Sequence, residues 1–151
     1  MLEILWFISI LLLALSAGIA FTHILEIPGK RALPAETVVA IQQQLYPGYR
    51  AAGMVIEPLQ LIALGAAAAV AYGDATSFWL TVGALAATLA AMLVFVSWTD
   101  VENRRMARWQ LGEPLPPDWK RVRVRWELSH GGRAVLFLAS VALVLGAILD
   151  G

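Results

Sequence analysis

The chain has 151 residues, 60% of them hydrophobic and only 15% charged, with a mean hydropathy of +0.72 and a formal net charge of zero. A soluble domain carries about 45–50% apolar and about 25% charged residues, so the balance marks a membrane protein, and the lack of a global field argues against nucleic acid as a partner. There is no cysteine, which excludes disulfides, thiolate metal sites, c-type haem attachment and cysteine nucleophiles together.

Residues 4–27 form an apolar run of the roughly 20 residues that cross a bilayer. Ala14-Leu15-Ser16-Ala17 resembles a cleavage site, but the acidic start Met1-Leu2-Glu3 and the continuing apolar run predict an uncleaved first span. Pro28-Gly29 is expected to end it. Pro34-Ala35-Glu36 then opens a short helix, with proline in the first turn and an acid at the positive dipole end. Val38, Ile41, Gln42 and Leu45 share one side of it, which predicts an amphipathic helix lying on the membrane surface. Tyr46-Pro47-Gly48-Tyr49 is expected to close that helix, its tyrosines suiting the interface.

The second span is expected over residues 51–72, with Glu57-Pro58 in its first turns, and the third over 77–98 after the tight turn Gly73-Asp74-Ala75-Thr76. Gly83, Ala84, Ala87 and Ala91 form a small-residue stripe suited to close helix packing. Asp100-Val101-Glu102-Asn103-Arg104-Arg105 continues the third helix out of the bilayer, and Gly112-Glu113-Pro114-Leu115-Pro116-Pro117-Asp118 reads as a loop. Asp118 is placed to cap a new helix through Trp119 and Arg121. That helix leads into the fourth span over residues 128–149. Its pure apolar part begins only at Ala134, so the turn from Trp126 to Arg133 must sit at membrane depth or in the interface. Trp6, Trp98, Trp109, Trp119 and Trp126 read mostly as interface anchors.

The fold class expected is an all-α membrane protein, residues 1–151 making one antiparallel four-transmembrane-helix bundle with a short interfacial helix and a basic loop. Orientation follows from the basic residues. Lys30, Arg31 and Arg50 lie between the first and second spans. Arg104, Arg105, Arg108, Lys120, Arg121, Arg123 and Arg125 lie between the third and fourth, whereas the turn at 73–76 has none. The basic loops are therefore expected in the cytoplasm, against anionic membrane lipids, and both acidic ends outside.

Threaded up and down, the spans gather their polar groups at one end. His23 and Glu26 close the first and Glu57 and Gln60 open the second. Asp100, Glu102 and Asn103 follow the third, and Glu127, His130 and Arg133 open the fourth. Ionisable groups at such depth cost roughly 2.5–3.5 kcal/mol each on insertion scales and mark a functional site by default. The chain's two histidines each stand three residues from a glutamate, as His23/Glu26 and Glu127/His130.

Three readings compete. In the first, His23, Glu26, Glu57, Glu127 and His130 hold a metal, since bundle di-metal sites combine glutamates with Glu-x-x-His pairs. Imidazole and carboxylate suit iron, manganese, copper or zinc, and a bis-histidine haem between His23 and His130 is a variant. In the second, His130 or His23 is a general base acting on an apolar substrate from the lipid. Tyr46, Trp98 and Trp126 then form an aromatic wall, and Arg133 or Asn103 binds a developing oxyanion. In the third, the carboxylates pair with nearby arginines, the histidines bond carbonyls or each other's carboxylates, and the cluster only locks the bundle end.

The stretch Arg123-Val124-Arg125-Trp126-Glu127-Leu128-Ser129-His130-Gly131-Gly132-Arg133, with Glu102-Asn103-Arg104, resembles a group of small bacterial four-span membrane proteins related to the anthrone oxygenases. His23-x-x-Glu26-x-Pro28-x-Lys30 and Gln43-x-Leu45-Tyr46 resemble one branch of it, and the resemblance spans nearly the whole chain. It implies a bacterial inner membrane and the oxidation of anthrones to anthraquinones by dioxygen without an added cofactor. It also implies Asn103, Trp126, His130 and Arg133 as the site, with Gln43 joining Tyr46 and Trp98 at the substrate. The expectation is thus a membrane-embedded oxidoreductase of oxygenase type for a lipid-soluble aromatic or quinone-like substrate, with or without a His/Glu metal. The alternative is a non-catalytic accessory subunit of a larger membrane complex, and a homo-oligomer is compatible with either. A transporter is disfavoured, because the spans show no inverted repeats or broken helices.

Overall fold

The computed structural model describes residues 1–150, and these are helical almost throughout, with no strand among them. The elements in order are α1 (Leu2–Leu25), α2 (Ile27–Ala32), α3 (Ala35–Gln44), α4 (Tyr46–Val70), α5 (Ala75–Val94), α6 (Asp100–Met106) and α7 (Trp119–Asp150). A single 3₁₀ turn follows α4, and a π turn, Phe95–Thr99, joins α5 to α6 without a break. Four stretches are long and apolar enough to cross a membrane: Leu2–Ala32, Ala35–Gly73, Ala75–Met106 and Trp119–Asp150.

Two proline motifs act differently from the expectation. Pro28-Gly29 does not end the first helix; only Glu26 separates α1 from α2, and the Lys30 amide donates to the Glu26 carbonyl at 2.9 Å. Likewise Tyr46-Pro47-Gly48-Tyr49 opens α4 and does not form the end of α3. In both cases the proline falls in the first turn of a helix, where its missing N–H has no intrahelical partner to lose. The consequence is specific. Tyr46 and Tyr49 become i,i+3 neighbours on one helix face, and Lys30 comes one turn after Glu26.

The last helix begins directly after Asp118, whose backbone carbonyl accepts from the Arg121 and Val122 amides at 2.9 and 3.1 Å. It therefore starts nine residues before the expected span. Arg123, Trp126, Glu127, His130 and Arg133 all sit on its buried face, at the three- and four-residue spacing that aligns side chains along a helix.

α7 packs against α1 and α5, and α4 against the same two helices. The stripe on α5 makes this approach close: Ala84 and Ala91 are fully buried, and a side chain on Gly83 would meet Leu143 at 3.4 Å. Close packing matters because lipid gives no hydrophobic drive between helices. Buried hydroxyls add interhelical bonds. Ser140 donates to the Ala84 carbonyl at 2.9 Å, and Thr99 donates to Ser129 at 2.9 Å. Trp6 Nε1 donates to Thr81 at 3.0 Å and Ser16 donates to Gln60 Oε1 at 2.9 Å. Phe7, Ile62, Leu93 and Val135 point outward, each more than half exposed.

Two cores result. One, around Leu13, Leu64, Phe137 and Val144, fills the apolar length of the bundle. The other joins Val39, Tyr46, Met106, Trp109, Val122 and Trp126 at the polar end. In the second core Gln43 donates to the Trp109 carbonyl, so α3 is tied to the loop before α7.

Candidate functional site

Bordering the second core at Tyr46 and Trp126 lies a cavity of about 600 Å³, walled by α1, α3, α4, α5, the π turn, α6 and α7. His23, from the last turns of α1, and His130, from α7, meet inside it with ring centroids 4.3 Å apart. Both are nearly fully buried. Trp126 stands one turn before His130 and contacts both rings, at 4.5 Å from His130 and 4.8 Å from His23. Tyr46 stacks on Trp126 at 5.3 Å and meets His23 edge-on at 4.8 Å, with Tyr49 at 5.3 Å. The result is an aromatic box around two imidazoles. Edge-to-face contacts of this kind fix ring orientation as well as burying area.

The expected polar partners are present around the box. The Trp126 indole N–H donates to Asn103 Oδ1 at 2.7 Å, which points the Asn103 oxygen at the indole and leaves its NH₂ free to donate to a ligand. Arg133, buried, pairs with the largely buried Glu57 in the cavity lining, while its guanidinium lies 4.8 Å over Phe95. Its Nε atom has no partner among the described residues. The buried Nδ1 atoms of His23 and His130 are also without a hydrogen bond there. The nearest acid is Glu26, whose Oε2 is 3.6 Å from His23 Nδ1 and accepts the Tyr46 hydroxyl at 3.1 Å.

The five residues expected to ligate a metal do not form one centre. Glu57 is engaged by Arg133 and Glu127 by Arg31 and Arg123 at 3.1 and 3.3 Å. Glu26 is engaged by Lys30 and Tyr46. No group of three or more His, Cys, Asp or Glu side chains converges among the described residues. A carboxylate already neutralised by a guanidinium is a poor ligand, and this donor set does not fit a carboxylate-bridged pair of ions. Haem fits no better: two imidazoles in ring contact leave no room for a porphyrin between them.

Trp98 also departs from the expectation. It does not line the cavity, and its ring lies under the Arg125 guanidinium at 6.0 Å. At about 100° per residue, Trp98 lies on the side of its helix away from Val96, Asp100 and Asn103. Phe95, Val96, Asp100 and Asn103 line the cavity and Trp98 does not. Gln43 does line it, beside Tyr46.

Sequence reasoning missed Lys30. Its ammonium is buried 4.5 Å over Tyr46 and 5.2 Å over Trp126 while paired with Glu26, so it props the back of the aromatic box. Its signal was the i,i+4 spacing from Glu26, overlooked because a lysine next to a span reads as an orientation charge. Arg50 and Arg104 were missed as cavity residues for the same reason.

Neither a known protein family, nor a characterised protein, nor a solved structure matches this chain.

Proposed function

We propose that the cavity is the active site of a cofactor-independent oxygenase acting on a lipid-soluble aromatic substrate with an acidic C–H beside a carbonyl, as in an anthrone. The observation that carries this reading is the buried His23–His130 pair, whose Nδ1 atoms make no hydrogen bond among the described residues, inside an aromatic-walled cavity of about 600 Å³. A purely structural lock accounts for Glu57, Glu127 and Glu26, each held by a cation, and for His23 beside Glu26, but leaves the buried Nδ1 of His130 without a hydrogen bond among the described residues.

The chemistry follows from the side chains. A histidine takes a proton from the substrate methylene, and the Asn103 NH₂ and Arg133 stabilise the resulting enolate oxygen. The carbanion forms a C–O bond to dioxygen, and the histidine returns its proton to the peroxide. Loss of the second C–H proton with cleavage of the O–O bond gives a new carbonyl, and the expelled hydroxide takes that proton as water. One methylene and one dioxygen thus become one ketone and one water, the dioxygen being the oxidant.

The same reading places the chain as an antiparallel four-span bundle in a bacterial inner membrane. The site, the basic loops and the interfacial helix α3 lie at the cytoplasmic side, with both ends outside. The basic residues clustered at the cavity end support this orientation. The test is anthrone oxidation by the purified protein in lipid nanodiscs. Quinone formation with one dioxygen consumed per quinone, lost in His130→Ala, is the expected result. Turnover no faster than in empty nanodiscs would overturn it.

A further inference from the structure

The cavity lining is exposed on two sides of opposite character. One side carries Met54 and Pro58 of α4 and Val96 of the π turn. All three line the cavity, yet Met54 and Val96 are 59% and 62% exposed on the outer surface. This side opens between two membrane-crossing helices, where the surrounding medium is hydrocarbon. Pro58 lacks the amide that would bond the Met54 carbonyl, so both walls of the opening are locally irregular.

At the other side, where α4 begins and α6 runs out of the third span, stand Arg50 and Arg104. Both reach the same carboxylate, Asp100, at 3.4 and 2.5 Å, and their side chains are 51% and 73% exposed. Asp100 is their only acidic partner among the described residues. The cavity lining holds three guanidinium groups against two carboxylates. Arg133 is matched by Glu57, so the surplus positive charge sits at Arg50 and Arg104, on two different helices.

We infer that the ligand is an anionic amphiphile, its carboxylate or phosphate held between Arg50 and Arg104 and its aromatic body reaching the histidines through the lateral opening. Guanidinium groups from two sides suit a planar or tetrahedral oxyanion, and a body that dissolves in lipid suits the Met54–Val96 side. The inference rests on the proposed function for the identity of the body, and adds the head group.

Binding of 9-anthracenecarboxylate and of its methyl ester, read by energy transfer from tryptophan in phosphatidylcholine nanodiscs, tests it. The acid is expected to bind about tenfold or more tighter than the ester, the worth of one or two charge-assisted hydrogen bonds. In the Arg50→Gln, Arg104→Gln double variant the two affinities should converge, with the ester unchanged as the control for folding. Equal affinities in the native protein, or an advantage that survives the double variant, would overturn the inference and leave the proposed function standing. Failure of both probes to bind would sink the two together. Repeating the titration with phosphatidylglycerol in the nanodisc separates the sources of the anion. Competition against the acid alone assigns the arginine pair to a lipid headgroup, and no competition assigns it to a free aromatic acid.

Discussion

The imidazoles of His23 and His130 lie 4.3 Å apart and tilted by 56°, one from the first membrane-crossing helix and one from the last. Each ring also touches Trp126. Two rings this close, with one tryptophan holding both, act as a unit. Single His23→Ala and His130→Ala substitutions should each lower anthrone turnover by about 10²–10⁴-fold, the usual worth of a positioned general base. The double variant should cost little more than the worse single one, as expected for groups that work together. Multiplicative losses in kcat would show that the two rings serve separate steps.

Glu57 and Arg133 form a buried pair, at 13% and 4% side-chain exposure. Removing one partner strands the other charge, so Glu57→Leu or Arg133→Met alone should destabilise the protein by about 3–5 kcal/mol. The double substitution should recover most of that loss. Unfolding in mixed micelles, run as a double-mutant cycle, measures the coupling. Additive losses would mean that the two side chains do not share an interaction.

The carboxylates that would complete a metal site are held by Arg31, Arg123, Arg133 and Lys30. Exhaustive chelation followed by elemental analysis should leave anthrone turnover unchanged, with iron, manganese, copper and zinc all below stoichiometric levels. Recovery of activity on adding back one of these ions would contradict the donor geometry.

Asn103 lines the cavity and accepts the Trp126 indole N–H at 2.7 Å, which leaves its NH₂ free to donate. Asn103→Leu should lower kcat by about 10²–10³-fold with a smaller effect on KM, the pattern of a lost oxyanion donor. Trp126 fluorescence should change as the indole loses its acceptor. An unchanged kcat beside a changed emission would confine Asn103 to a positioning role.

Much of this was readable from the residues alone. Long apolar runs gave four membrane-crossing stretches, and the spacing of Arg123, Trp126, Glu127, His130 and Arg133 put them on one helix face. What periodicity could not supply was partner choice. Glu57 and Arg133 are 76 residues apart in sequence, and nothing local says that this carboxylate meets a guanidinium and not a metal. The direction of Tyr46-Pro47-Gly48-Tyr49 was equally hidden, because proline suits both the end of one helix and the first turn of the next. Trp98 lies off the helix face that carries Val96, Asp100 and Asn103, a direction already set by the 3.6-residue period and overlooked because a tryptophan near the cluster reads as wall. Lys30 entered the site although its position next to a span made it look like an orientation charge.

The most direct test of the account is the fate of labelled dioxygen. Anthrone turned over in nanodiscs under ¹⁸O₂, with the quinone extracted and weighed by mass spectrometry, should carry one ¹⁸O atom in the new carbonyl. The label should disappear with the activity in His130→Ala. Quinone that forms at an undiminished rate in that variant, or that carries oxygen only from water, would contradict a histidine-driven oxygenation in this cavity.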